Sequence, residues 1–309
     1  MTTVPVSSRP RLSLLREAQE AWRYRELLQN LVDRELAVRY KNSALGVAWS
    51  LANPLVRAFI LWLVFDKILP LRVDNYSAYV LAAFFPWTYF LTGVLDAGDA
   101  VSKQMPLVKK VYFPRELLPL ATTIANLRHF LLSLGVLGVY LVYLYGRSWY
   151  EGKPALPPGE IFLLPLLVVM QTLLIGGIAL FLSALNVFFE DVKFLAAVVL
   201  DLLFYGVPII YFIEQVRAST AIPEGLREPL YNLFLLNPMT VILVSYRAFL
   251  LGPQKAPPGP SVTDPTQFIA VNQGVPWPYF WLACAVCVAT FFAGYAFFNS
   301  RKWRFVERQ

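Results

Sequence analysis

The chain has 309 residues, 57% of them hydrophobic and 15% charged, with a formal net charge of +7 and a mean hydropathy of +0.53. A soluble domain has an apolar share nearer half or below, so the composition excludes an ordinary globular enzyme and describes a basic membrane protein. No G-x-x-x-x-G-K-[S/T] phosphate loop occurs, so the chain has no nucleotide site of that kind.

The first 43 residues are polar and basic, without the short apolar run of a cleavable signal. Within them Leu14, Ala18, Ala21, Trp22, Leu28, Val32 and Leu36 fall on one side of a helical wheel. Arg16, Glu20, Arg23 and Arg34 fall opposite, which predicts an interfacial amphipathic helix. Arg25 intrudes on the apolar face and either snorkels or marks a protein contact. Such a collar is either a plain surface anchor or, because it runs almost directly into the first span, a mechanical element.

A bilayer core of roughly 30 Å takes about 20 mostly apolar helical residues. Windows 44–65, 78–95, 117–145, 161–189, 194–212 and 279–298 meet that requirement. The alternating short segments of a membrane β-barrel are absent. A seventh apolar stretch, 233–251, is broken by Asn237-Pro238 and carries Arg247. An arginine at mid-bilayer costs about 2.5–3.5 kcal/mol on insertion scales, so 214–251 is expected to form a re-entrant hairpin. Six spans result, dividing the chain into a cytoplasmic segment 1–43, a membrane domain 44–300 and a basic tail 301–309.

Lys and Arg gather before the first span, in loop 103–119 and in the tail. The positive-inside rule then puts both termini and that loop in the cytoplasm, with the Pro- and Gly-rich loop 252–278 outside. Loop 103–119 is short, basic and pinned by Pro106 and Pro114, with Tyr112 and Phe113 at its centre. Those aromatics either dock into another protein or pack on the membrane. Arg57, Asp96, Asp99, Arg128, His129 and Asp201 are ionisable residues near membrane depth, with Arg57 and Asp201 the deeper pair. Cys284 and Cys287 lie in the last apolar helix with no nearby His, which fits packing and not a metal site.

Ordered motifs then run along the chain. They are 34–49 (RELAVRYKNSALGVAW) with Asn53-Pro54, 85–90 (FPWTYF), 107–119 (LVKKVYFPRELLP), 182–192 (LSALNVFFEDV), 208–211 (PIIY) and 236–240 (LNPMT). In this set the chain resembles the membrane-spanning permeases of type 2 ABC exporters for cell-surface polysaccharide, such as O-antigen, capsular polysaccharide or teichoic acid. It departs from that pattern at Glu190, beside Asp191, where a basic residue is usual, and in a longer 252–278 loop.

The resemblance implies an all-α polytopic homodimer of six-span subunits in a bacterial cytoplasmic membrane, bound to two copies of a separate ATPase. ATP and magnesium would belong to that ATPase; no cofactor, metal or nucleic acid is expected on this chain. Carried over, Lys109, Lys110, Tyr112, Phe113, Pro114, Arg115 and Glu116 would form the coupling helix, with Glu190 and Asp191 in a second contact. Arg34, Arg39, Tyr40 and Lys41 would belong to the interface helix. Trp49, Trp62, Phe84, Phe85, Trp87, Tyr89 and Tyr205 are candidates to line a channel for a lipid-linked glycan, since aromatic faces hold extended polymers. A permease for a lipid or small drug is the alternative. A membrane transferase would need clustered acid–base groups, and only Glu190-Asp191 comes near that.

Overall fold

A computed structural model describes residues 24–39, 48–68, 73, 75–110, 113–152, 157–219, 221–256 and 269–306. Its helices are α1 (Arg25–Arg39), α2 (Ala48–Trp62), α3 (Tyr76–Gly98), α4 (Ala100–Lys103), α5 (Met105–Lys110) and α6 (Leu117–Tyr150). They continue as α7 (Leu164–Asn186), α8 (Val192–Gly206), α9 (Glu214–Ala218), α10 (Glu224–Leu236), α11 (Pro238–Leu250) and α12 (Trp277–Arg301). A 3-10 turn, Gly159–Leu163, leads into α7, and another, Lys302–Val306, follows α12. Residues 1–23, which hold the first half of the predicted collar, lie outside the described residues, as do Tyr40, Lys41, Tyr112 and the Pro-rich 257–268 segment.

Among the described residues four helical stretches are long and apolar enough to cross a bilayer: Tyr76–Gly98, Leu117–Tyr150, Gly159–Asn186 and Trp277–Phe305. The windows expected at 44–65 and 194–212 form helices of only 15 residues, α2 and α8. At 1.5 Å per residue 15 residues make about 22 Å, less than a core of roughly 30 Å, and α2 begins at the edge of the undescribed residues 40–47. α2 is prolonged by a π-helical stretch, Leu63–Ile68, whereas α8 ends where Val207 turns extended.

α3 is the central helix, with 72% of its apolar window buried against 17–39% for the other three stretches. α6, α7, α8 and α11 surround it. The tightest crossing joins α7 to α12. A Cβ on Gly294 would sit 2.0 Å from the Gly177 carbonyl oxygen, and one on Gly177 2.5 Å from that of Thr290. Only paired glycines allow this backbone approach, the small-residue device of membrane helix packing.

One end of the bundle, here the basic end, carries α1, α4, α5, the start of α6 and the turn after α12. At the opposite, distal end α10 and α11 meet at 89°. The break was expected at Asn237-Pro238, and its cause is a helix start. The Asn237 side chain accepts the Met239 N–H at 3.0 Å, and Pro238 occupies the first turn, where no donor is needed. The two ends of the 214–251 segment return to the same place. The Asn272 N–H donates to Glu214 Oε1 at 2.9 Å, and Asn272 Nδ2 donates to the Leu251 carbonyl at 2.8 Å. Asn272 has φ 53, in the left-handed region that asparagine tolerates. The ends of loop 252–278 pair as an antiparallel ribbon, Gln254–Ala256 with Ile269–Val271, a small β element in an otherwise helical chain.

Arg247 holds the distal end together. Its side chain is 2% exposed, and it donates to the carbonyls of Tyr79 at 2.9 Å, Tyr211 at 2.8 Å and Ile209. Its guanidinium lies 5.2 Å from the centre of the Phe212 ring. The planar fork thus caps the irregular segment after α8 and ties it to α3, which is how a buried arginine is tolerated there. Tyr76 and Tyr145 add hydroxyl bonds to the Ile210 and Leu250 carbonyls.

Candidate functional site

The basic end gathers the loop between α3 and α6, α1, the α7–α8 junction and the turn after α12. Gly98 closes α3, and its carbonyl accepts Asn186 Nδ2 at 2.7 Å, pinning the α7 end to the loop. α5 begins one residue before Pro106, which is admissible because first-turn N–H groups need no intrahelical partner. Its last turn carries Lys109 and Lys110, both exposed and favourably placed against the helix dipole.

Helix was expected over 109–116, of which residues 111 and 112 lie outside the described residues. The helical part is Met105–Lys110, and the chain turns through Phe113 and Pro114 before α6, with the Leu117 N–H donating to the Pro114 carbonyl at 3.1 Å. Pro114 cannot donate a backbone hydrogen bond, so it resists continuation of α5. Phe113, expected at a docking surface, is 8% exposed and belongs to the chain's own apolar cluster with Leu31, Val32, Leu117, Leu180 and Phe298. Burial of the ring inside its own chain is favourable without any partner.

The loop is fastened to the turn after α12. Lys302 Nζ lies 3.3 Å from Glu116 Oε1, with side chains 17% and 11% exposed. Arg115 donates to the Lys302 carbonyl, and its guanidinium lies 6.0 Å from the Phe305 ring centre. Phe305 is fully buried, edge-on to Phe298 at 5.4 Å and tilted against Phe188 at 5.8 Å. Glu116 and Lys302 stand 186 positions apart in the chain. Neither Lys302 nor Phe305 was legible as a site residue from local sequence.

α1 is fastened as well. Leu31 and Val32 are buried in the same cluster, with Leu28 and Leu36 partly buried beside them. Arg128 NH1 on α6 pairs with Asp33 Oδ1 at 2.6 Å, and Arg34 NH1 reaches Gln104 Oε1 at 3.5 Å. Of the predicted apolar face, Leu28, Val32 and Leu36 lie among the described residues, and they pack on the protein's own α6 and loop instead of serving only lipid. Arg128, read as a membrane-depth charge, is a clamp for α1. Arg39 ends α1, and nothing further is described of its side chain.

Glu190 comes together with Lys109, Lys193 and Asp99 around a cavity of about 420 Å³, which Ser102, Met105 and Asn186 also line. The departure at Glu190 thus places a carboxylate on the wall of a cavity that two lysines also line. Asp191 stands beside it, exposed, at the start of α8. Asp99 pairs with Lys103 at 3.5 Å, and Asp96 accepts Asn126 Nδ2 at 3.3 Å.

The aromatics expected along a channel separate into two groups. Phe85, Trp87 and Tyr89 are 2–3% exposed and form the protomer's core, Tyr89 stacking on Phe130 at 4.7 Å. They lie on the central helix, so close packing leaves no opening beside them, and the channel expectation is corrected for these residues. Tyr205 is 77% exposed, Trp62 and Phe84 are half-buried, and Arg57 lies 5.6 Å over Phe84. Asp201 is exposed in the middle of α8, and nothing is described of the Trp49 side chain.

The sequence profile of the ABC-2 type transporter family matches residues 26–250. The chain is 31% identical over 235 residues to the O-antigen export system permease protein RfbA of Myxococcus xanthus, covering 76% of this chain and 84% of that one. Two proteins of the same name from Klebsiella pneumoniae are 30% and 29% identical, over 72% and 73% of this chain and 79% and 80% of their own lengths.

Proposed function

The chain belongs to the ABC-2 type transporter family, and we propose that it is the permease of an ATP-driven exporter moving a lipid-linked polysaccharide of O-antigen type out of the cytoplasm. It is a multi-pass membrane transporter subunit and not an enzyme. The observation that carries the substrate is the likeness, over about three quarters of the chain, to permeases named for O-antigen export.

In this reading α2 and α8 complete six crossings, α10 and α11 form a re-entrant element on the outer side, and both termini are cytoplasmic. The meeting of Glu214, Leu251 and Asn272 supports the hairpin, because it returns both ends of the 214–251 segment to one side. The cytoplasmic loop meets a separate ATPase through α5, with Lys109 and Lys110 presented outward and Glu190 alongside. ATP and magnesium act on that ATPase. Two copies of this chain enclose the passage, with Tyr205, Trp62 and Phe84 the aromatics still available to face it.

Push on the loop is passed onward and not absorbed. Phe113, Arg115 and Glu116 are joined to α6, α12 and α1, so a displaced α5 carries the inner ends of three helices with it. The test uses inverted membrane vesicles holding the permease and its cognate ATPase, supplied with lipid-linked O-antigen and ATP. Glycan uptake is expected with wild type, and Lys109→Glu with Lys110→Glu is expected to lose ATPase association without lowering the melting temperature. Undiminished association and uptake in that variant would refute the coupling assignment; no uptake by wild type would refute the substrate.

A further inference from the structure

The distal end contains a cavity of about 620 Å³, within the size range of small-molecule sites. It lies within a single protomer, between α9, α10, the ribbon strand Ile269–Val271 and the start of α12. Its apolar side is built from Ile213, Leu235 and Val244, and Tyr231 and Trp277 supply aromatic surface. Glu160, Glu214, Arg217 and Gln273 bring polar groups to the same space. None of these residues belongs to the basic end, and the core packing of the bundle does not account for the opening.

Charge decides what such a space would take. Arg217 is the one basic group among the described lining residues, and it is already engaged. Its Nε and NH2 lie 2.6 and 2.8 Å from the two carboxylate oxygens of Glu228, and its guanidinium sits 4.0 Å from the Tyr231 ring centre. Two further carboxylates, Glu160 and Glu214, line the space. A phosphate or uronate would meet a net negative wall with its cation already neutralised, so anions are disfavoured. A neutral sugar suits the lining. Its C–H face can lie on an aromatic ring, its hydroxyls can donate to carboxylates, and Gln273 offers both a donor and an acceptor. Trp277 is 39% exposed, so its ring is open to such a contact.

We propose that this cavity is a carbohydrate subsite that holds a neutral sugar unit at the distal end of each protomer. The proposal rests on the polysaccharide reading and adds a place where a unit of the emerging chain pauses outside the central passage. By analogy with aromatic platforms that hold nucleobases, removing one stacking ring should weaken binding roughly tenfold.

The test is saturation-transfer NMR on the permease–ATPase complex in nanodiscs, with maltotriose and mannotriose as neutral probes, and trigalacturonate and inorganic phosphate as anionic ones. Saturable binding of at least one neutral trisaccharide is expected, with no competition from phosphate. Tyr231→Ala and Trp277→Ala should each weaken it roughly tenfold. Because Trp277 also packs edge-on to Phe280 at 5.5 Å, Gln273→Ala, at an exposed position, serves as the variant that leaves packing intact and should also weaken binding. Absence of neutral binding, a preference for either anion, or unchanged binding in all three variants would overturn the proposal. If vesicles export glycan while the cavity variants bind and export as wild type does, the subsite falls and the function stands. If the trisaccharides bind here and no glycan is exported, the reverse holds.

Discussion

Arg247→Met is the perturbation with the most direct structural reading. The arginine caps the Tyr79, Ile209 and Tyr211 carbonyls, of which the last two lie in the irregular segment between α8 and α9. Methionine fills similar volume but leaves these two carbonyls without their donor. Each orphaned buried acceptor costs about 1–3 kcal/mol, giving about 2–6 kcal/mol in total. Removing a buried guanidinium relieves its desolvation and offsets part of this loss, so the net expectation is about 2–4 kcal/mol. Arg247→Lys should recover less than half of it, because one ammonium does not reproduce a planar fork spread across separate carbonyls. The assay pairs thermal unfolding in nanodiscs with hydrogen exchange. Exchange should quicken at 207–213 and in α11, while the amides of α6 near Leu118 remain as protected as in wild type. Were Arg247→Met to melt like wild type and leave 207–213 fully protected, the carbonyl-capping argument would be wrong.

The Glu116–Lys302 pair can be tested by a double-mutant cycle. Lys302→Met alone strands a carboxylate that is 11% exposed and should cost about 2–3 kcal/mol. Adding Glu116→Leu should restore most of it, and strictly additive effects on the melting temperature would deny the coupling. Gly294→Ala should destabilise by about 1–3 kcal/mol or more, since its Cβ falls 2.0 Å from the Gly177 carbonyl oxygen. Gly135→Ala, where nothing lies within 4 Å, is the matched control and should change unfolding little.

Local signals in the sequence survived where the cause was itself local. Leu28, Val32 and Leu36 share the packed side of α1 because 3.6-residue periodicity needs no knowledge of the partner. Asn237-Pro238 broke the seventh apolar stretch because capping and a missing donor act within three residues. Arg247 was visible as an oddity in an apolar run, though its carbonyl partners were not. What periodicity could not supply was the side on which a residue finds its neighbours. Phe113 and Trp87 look alike in composition to residues at a docking surface or a channel, yet tertiary packing buries both. Glu116 and Lys302 are 186 positions apart, so no window could pair them. The Gly177–Gly294 contact is hidden for the same reason, as a glycine in an apolar helix reads only as a weak helix former. The distal cavity draws on residues from 160 to 277, a separation that only the folded chain closes.

The two ends of the bundle are joined in physically different ways, and the difference bears on how force would travel. At the basic end the loop is held by a buried apolar cluster, an ion pair and a carbonyl contact, drawn from α1, α6, α7 and the turn after α12. The apolar cluster cannot yield without exposing its surface, so the loop and the helix ends it touches should move as one body. At the distal end α11 is buried in the main apolar core with α3, and backbone carbonyls around it also accept hydrogen bonds from Arg247, Tyr76, Tyr145 and Asn272. Such bonds are directional and can be exchanged for water one at a time, unlike a packed core. α10 differs from α11 in having Leu235 as its one buried residue, so under the proposed coupling through α5 a displacement would find its compliance on the α10 side of the 89° bend while α11 stays with the core.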